Sequence, residues 1–262
     1  MWGIIPAAGS GTRIQPLAFS KELLPVGSRL DGGVERPKAV SEYLVERMLV
    51  GGADRICVVL APGKSDILAY FGGQVGDAHV AYVVQPEPLG LCDAIFRALP
   101  FIAPDEPVLV GLPDTIWFPA DALARLPNDR FTFLCFPVAR PEFFDAVLMA
   151  PDGCVREVQV KSPTAESHWI WGAFKLTGAQ LGQLHALWQE RGRKDQYIGT
   201  LVNEWLARGG EAWGAKAGEA YVDVGTFDGY REAVRLLAER PVLGDAPGLS
   251  LAARRLKQEA GA

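Results

Sequence analysis

The 262-residue chain carries 26 Lys and Arg against 31 Asp and Glu, a net charge of −5, with 49% hydrophobic and 22% charged residues. That balance fits an ordinary globular chain with a sizeable core and argues against nucleic acid or anionic membrane as the main partner. No stretch reaches transmembrane length, and Met1-Trp2-Gly3-Ile4 lacks the charged start of a signal peptide, so a cytoplasmic protein is expected.

In chain order, Trp2 to Ala7 is a short apolar run entering a Gly-rich turn, which predicts a buried strand feeding a loop. Residues 26–37, with Gly27, Gly32, Gly33 and Pro37 among mixed charges, predict a loop. Val40, Tyr43, Leu44 and Met48 recur at helical spacing, and Gly51-Gly52 ends that helix. Strands follow at Arg55 to Leu60, His79 to Val84 and Pro107 to Leu112, with helices at Lys64 to Phe71 and Gly90 to Leu99 between them. This strand–helix alternation implies a parallel sheet covered on both faces. Ligands bind such sheets outside the carboxyl ends of the strands, so the loops after Ala7, Val84 and Leu112 should share one crevice.

The second half is richer in strands: Phe131 to Pro137, Ala146 to Ala150, Cys154 to Val160 and Trp169 to Leu176. Pro151-Asp152-Gly153 supplies the turn between the second and third. Thr177 to Gln180 reads as a capping box opening a helix. A further helix is expected over Gln196 to Ala207, a short strand at Tyr221 to Val224, and a helix capped by Thr226. Leu249 to Ala260 reads as a basic amphipathic helix. Cys57, Cys92, Cys135 and Cys154 lack the spacing of a metal knuckle or redox pair, and three of them fall in apolar, strand-like surroundings expected to keep them reduced.

The chemistry concentrates at Gly9-Ser10-Gly11-Thr12-Arg13 and Lys21. Glycines after a strand let backbone amides approach phosphate oxygens, and Arg13 adds a planar fork that matches them. The string from Gly9 through Pro16 to Lys21-Glu22-Leu23-Leu24-Pro25 resembles the signature of the sugar-nucleotide pyrophosphorylases, in particular the glucose-1-phosphate thymidylyltransferases and UTP–glucose-1-phosphate uridylyltransferases.

The resemblance implies an α/β, Rossmann-like three-layer sandwich with a mostly parallel mixed sheet, and nucleotidyl transfer from an NTP to a sugar 1-phosphate. Ala8, Gly9, Ser10, Gly11, Thr12 and Arg13 would form the nucleotide's phosphate loop. Gln85 and Gly90, in Gln85-Pro86-Glu87-Pro88-Leu89-Gly90, match the base-binding loop; a Gln amide both donates and accepts, as the imide edge of uracil or thymine requires. Asp114, in Gly111-Leu112-Pro113-Asp114, and Asp223, in Tyr221-Val222-Asp223-Val224-Gly225-Thr226, match the two aspartates that hold Mg²⁺. Lys161 matches the lysine that meets the sugar phosphate, and Arg13, Lys21 and Lys161 are the expected catalytic cations. Gly172 and Trp171 match the sugar side. Val160 stands where the family carries a sugar-contacting Glu, which leaves a different phosphorylated acceptor open: an amino sugar, a heptose or a phosphonate. A non-catalytic relative is the remaining alternative, disfavoured because Arg13, Lys21, Asp114 and Asp223 are all present.

The likeness runs from Gly3 to about Ala233. It implies one catalytic domain over 1–240, with a nucleotide-binding half (1–127) and a sugar-binding half (128–240), then a C-terminal helical extension (241–262) able to pack in a homo-oligomer. A second, acyltransferase domain is not expected. Pro62-Gly63-Lys64-Ser65 imitates the end of a P-loop, but Val58 stands where the first glycine belongs. His79, His168 and His185 are scattered and not spaced as ligands.

Overall fold

The computed structural model describes residues 1–239. The expected helix at 249–260 and the extension 241–262 lie outside the described residues. In chain order the elements are β1 (Trp2–Ala7), β2 (Pro25–Asp31), β3 (Val34–Ala39), α1 (Val40–Val50), β4 (Arg55–Leu60), α2 (Ser65–Phe71), β5 (Gln74–Val75), β6 (Ala78–Val84), α3 (Leu91–Phe96), β7 (Pro107–Gly111), β8 (Thr115–Phe118), β9 (Thr132–Pro137), β10 (Asp145–Met149), β11 (Val155–Val160), β12 (Trp169–Thr177), α4 (Gly178–Glu190), α5 (Ile198–Ala207), β13 (Trp213–Ala215), β14 (Ala220–Asp223) and α6 (Phe227–Ala238).

The main sheet runs β11-β10-β12-β7-β1-β4-β6-β5, with β9 and β13 joined to it through β12. β7, β1, β4 and β6 are parallel, while β12 is antiparallel to β7 and β9. Alternate residues of each central strand enter different cores. Ile4, Cys57, Val59, Val108 and Val110 join one core with residues of α3, α4 and α5. Ile5, Ile56, Val58 and Leu109 join the other with residues of α1 and α2. Two apolar faces and two helical layers make the expected three-layer, Rossmann-like sandwich. Thr177 caps α4 with a complete capping box, and Thr226 caps α6 through the Gly229 amide, both as read from the sequence. All four cysteines are free; Cys57 and Cys135 are buried in strands and Cys92 in α3.

The expected loop at 26–37 is instead the β2–β3 hairpin. Gly32 and Gly33, at φ 58° and 79°, form a two-residue turn between the paired Asp31 and Val34. Two successive positive φ values suit the right-handed strand twist, so the glycines that looked like loop residues are the tip of a hairpin. Short β5, β8 and β13 have too few residues to show a period. Of these, β8 matters most, because it pairs antiparallel with β14 and sets Thr115 opposite Asp223. No helix among the described residues is long and apolar enough to cross a membrane.

Candidate active site

A crevice of about 380 Å³ opens at the carboxyl ends of the parallel strands. Gly9 from the loop after β1, Gly90 from the loop after β6 and Asp114 from the loop after β7 all line it, which is the shared crevice expected from the strand order. The far wall comes from Asp145, Lys161, Trp171 and Tyr221.

The Gly-rich loop and Lys21 form one unit. Gly11 holds φ 65°, and a Cβ there would sit 2.7 Å from Lys21 Cδ. Glycine at this position therefore serves both the left-handed backbone and the passage of the lysine stem across the loop. Ala8 is buried, while Gly9, Ser10, Thr12 and Arg13 are exposed along the rim.

Two ion pairs close the floor. Lys21 Nζ donates to Asp114 Oδ2 at 2.5 Å, and Arg13 donates to Asp223 Oδ2 at 3.1 Å. The backbone brings the two acids together: Val224 N donates to the Asp114 carbonyl, and the Asp223 carboxylate accepts from the Gly225 amide. A Cβ on Gly225 would lie 2.8 Å from Asp223 Oδ1, 2.9 Å from Asp114 Oδ2 and 3.1 Å from Arg13. Both carboxylates thus converge on one small space, which gives hard oxygen donors of the kind Mg²⁺ takes. Burial alone would lower the Lys21 pKa, but Asp114, with Glu22 and Asp223 behind it, raises it above the usual lysine value, so the ammonium stays charged. Tyr221, buried beside both acids, has its phenol pushed well above its usual value, first by burial and then by Asp223 and Asp114.

The acceptor side is less uniform. Lys161, an exposed residue after β11, has φ 44°, a sparsely populated conformation of the kind that clusters at functional sites. Its ammonium lies over the Tyr197 ring, 4.6 Å from the centroid. Trp171 lines the crevice and is also a buried member of the core shared with α4 and α5. Gly172 lies behind the wall, at the irregularity in the β9–β12 register; a Cβ there would meet the Tyr221 ring at 2.5 Å. Its place is to seat Tyr221. Gln85 is buried, and its amide donates to the Gly90 carbonyl and to Asp93. Gly90, at φ 96°, would drive a Cβ into the Gln196 backbone at 2.8 Å. In this structure both residues shape the loop that opens α3.

The nucleotidyl transferase family model matches residues 2–240. The chain belongs to that family. Among relatives of this nucleotidyl transferase, glucose-1-phosphate thymidylyltransferase of Mycolicibacterium smegmatis is 28% identical over 244 residues, covering 89% of this chain and 81% of that one. UTP–glucose-1-phosphate uridylyltransferase of Streptococcus pneumoniae is 28% identical over 183 residues, covering 57% and 58%. The solved UTP-bound UGPase of Acinetobacter baumannii superposes with a TM-score of 0.73 at 21% identity over 98% of each chain, a likeness of fold.

The nucleotidyl transferase site contains residues that the sequence pattern did not single out. Lys64 lies in Pro62-Gly63-Lys64-Ser65, which lacks the first glycine of a P-loop. Its ammonium donates to the carbonyls of Ala7 and Gly9, both at 2.7 Å, and to the Glu22 carboxylate at 2.8 and 2.9 Å. It clamps the Gly-rich loop to the turn that carries Lys21. Burial pushes the Glu22 carboxyl up, against the pull of Lys64 and Lys21. The available signal was position: Lys64 follows the carboxyl end of β4, on the same sheet edge as Gly9. Asp145, at the start of β10, also lines the crevice and carries no sequence motif.

Proposed function

We propose that this nucleotidyltransferase joins an NTP, dTTP or UTP in preference, to a sugar 1-phosphate and releases pyrophosphate. The observation that carries the reading is the interlocked unit of Gly11, Lys21 and Asp114, with Arg13 and Asp223 beside it. A phosphate oxygen of the sugar phosphate attacks the α-phosphorus in line. The P–O bond to the β-phosphate breaks, and its electron pair leaves with pyrophosphate.

Such chemistry depends on positioning and charge neutralisation. Arg13, on the exposed rim, takes the β and γ phosphates of the leaving group. Lys21, deeper and held charged, faces the α-phosphate. Lys161 neutralises the incoming sugar phosphate from the opposite wall. Asp114 and Asp223 would hold Mg²⁺, which when bound would neutralise the charge that builds on the phosphates. Gln85 and Gly90 shape the pocket for a pyrimidine base. In this reading residues 1–127 hold the nucleotide, residues 128–240 hold the acceptor, and the enzyme works in the cytoplasm on soluble substrates.

A screen of nucleoside triphosphates against sugar 1-phosphates, read as pyrophosphate release with and without Mg²⁺, tests the proposal. Metal-dependent release that requires both a pyrimidine NTP and a phosphorylated sugar is expected. Nucleotide binding with no release for any acceptor would favour a non-catalytic relative instead.

A further inference from the structure

Asp145 is the one carboxylate lining the crevice, among the described residues, that the mechanism above leaves without a role other than Glu22, which Lys64 already engages. It opens β10 directly opposite Val160 in the antiparallel ladder to β11. Opposed residues share a face of the sheet. The Val160 side chain packs on α5, where a Cβ on Gly199 would touch its Cγ2 at 2.7 Å, so at this ladder position Asp145 supplies the polar group.

Its surroundings satisfy its hydrogen-bonding capacity only in part. The Lys161 amide donates to the Phe144 carbonyl at 3.0 Å and also favours the charged form of the Asp145 carboxyl. The Trp171 indole N–H is buried against the carboxyl and favours its charged form without closing a full hydrogen bond. Lys161 attracts it from farther than an ion-pair distance. Burial outweighs these influences and holds the Asp145 pKa above the usual carboxylate value. A half-buried carboxylate with spare acceptor capacity is costly unless a donor arrives. Its charge sits a short way from Lys161, so it repels phosphate while Lys161 attracts it. One molecule that answers both has a phosphate at one end and hydrogen-bond donors at the other.

We propose that Asp145 is a specificity-determining residue of the acceptor site, accepting hydrogen bonds from hydroxyl groups of the sugar while Lys161 holds its phosphate. This rests on the nucleotidyl-transfer reading above and adds to it the group that recognises the sugar. Asp145 touches the sugar and not the reacting atoms, so its contribution is to acceptor and product affinity. Phe143 and Tyr197, exposed aromatics at the same mouth, offer apolar surface for the ring's C–H faces.

The test is calorimetric binding of UDP, dTDP, UDP-glucose and dTDP-glucose to the wild type, Asp145→Asn and Asp145→Ala. Thermal melts confirm that each variant is folded, and the near-isosteric Asn variant is the safeguard if Ala is not. Wild type is expected to bind an NDP-glucose more tightly than the matching NDP. That increment should fall about 10- to 100-fold in Asp145→Ala and less in Asp145→Asn, with NDP affinity unchanged. An increment that survives in the folded Asn and Ala variants overturns the proposal while leaving the nucleotidyl-transfer reading intact. Equal wild-type affinity for NDP and NDP-glucose also overturns it. Failure of the wild type to bind any of the four overturns both.

Discussion

On the nucleotide side of the crevice, the charged groups arrive on loops and are fixed by one another. Lys21 lies across Gly11, its ammonium on Asp114, and Lys64 ties the same loop to Glu22. On the acceptor side, Asp145 and Trp171 stand on strands, with Lys161 just past the end of β11, and the register of β10, β11 and β12 fixes where each begins. The first arrangement tolerates little exchange, because changing one member displaces the others. The second lets a polar group sit on either of two opposed strand positions. Interlocked loops make a legible signature; a ladder position makes a variable one.

This contrast can be broken by substitution. Asp114→Ala removes one of two converging carboxylates and the partner of Lys21, and should lower kcat about 10²–10³-fold in a pyrophosphate-release assay. A loss below tenfold would remove Asp114 from the reaction. Lys64→Ala leaves Glu22 buried without its main cation and should cost about 3–5 kcal/mol in denaturant melts.

That loss should depend on pH with a definite sign. The native Glu22 carboxyl already titrates above its ordinary value of 4.5, so the folded state holds the proton more tightly than the unfolded chain. Stability from this group is therefore lost as pH rises from the unfolded value through the native one. Without Lys64 the native value climbs further, and the deficit should be smallest in acid and grow toward neutrality. A deficit that is flat with pH would show that Lys64 acts through the loop carbonyls alone.

Gly11→Ala should cost about 1–2 kcal/mol from the left-handed backbone and also depress turnover by pushing the Lys21 stem aside; loss of stability without loss of turnover would uncouple the loop from Lys21. The smallest effect belongs to Gly33→Ala, at the hairpin tip, where no atom lies within 4 Å of the added Cβ. It should cost about 1 kcal/mol of stability and leave turnover unchanged.

The same contrast explains what could be read from the chain. Alternating apolar runs and short turns made the parallel core and its shared crevice predictable, because each central strand is buried on both faces. Arg13, Lys21, Asp114 and Asp223 were marked by their loops. Their meeting was not derivable, since it depends on the four-residue β8 pairing with β14. Lys64 was hidden because its partners include two backbone carbonyls, which leave no side-chain pattern. The β2–β3 hairpin was hidden because Gly32-Gly33 suits a loop and a tight turn equally. Gln85, Gly90 and Gly172 were noticed as binding residues, yet each also has a packing reason to be what it is.

The role of Lys21 at the α-phosphate is best measured in Lys21→Ala, with NTP KM and kcat determined separately and a thermal melt as control. The variant should be folded, with kcat lower by about 10²–10³-fold and a smaller change in KM. A folded variant with near wild-type kcat would contradict that role.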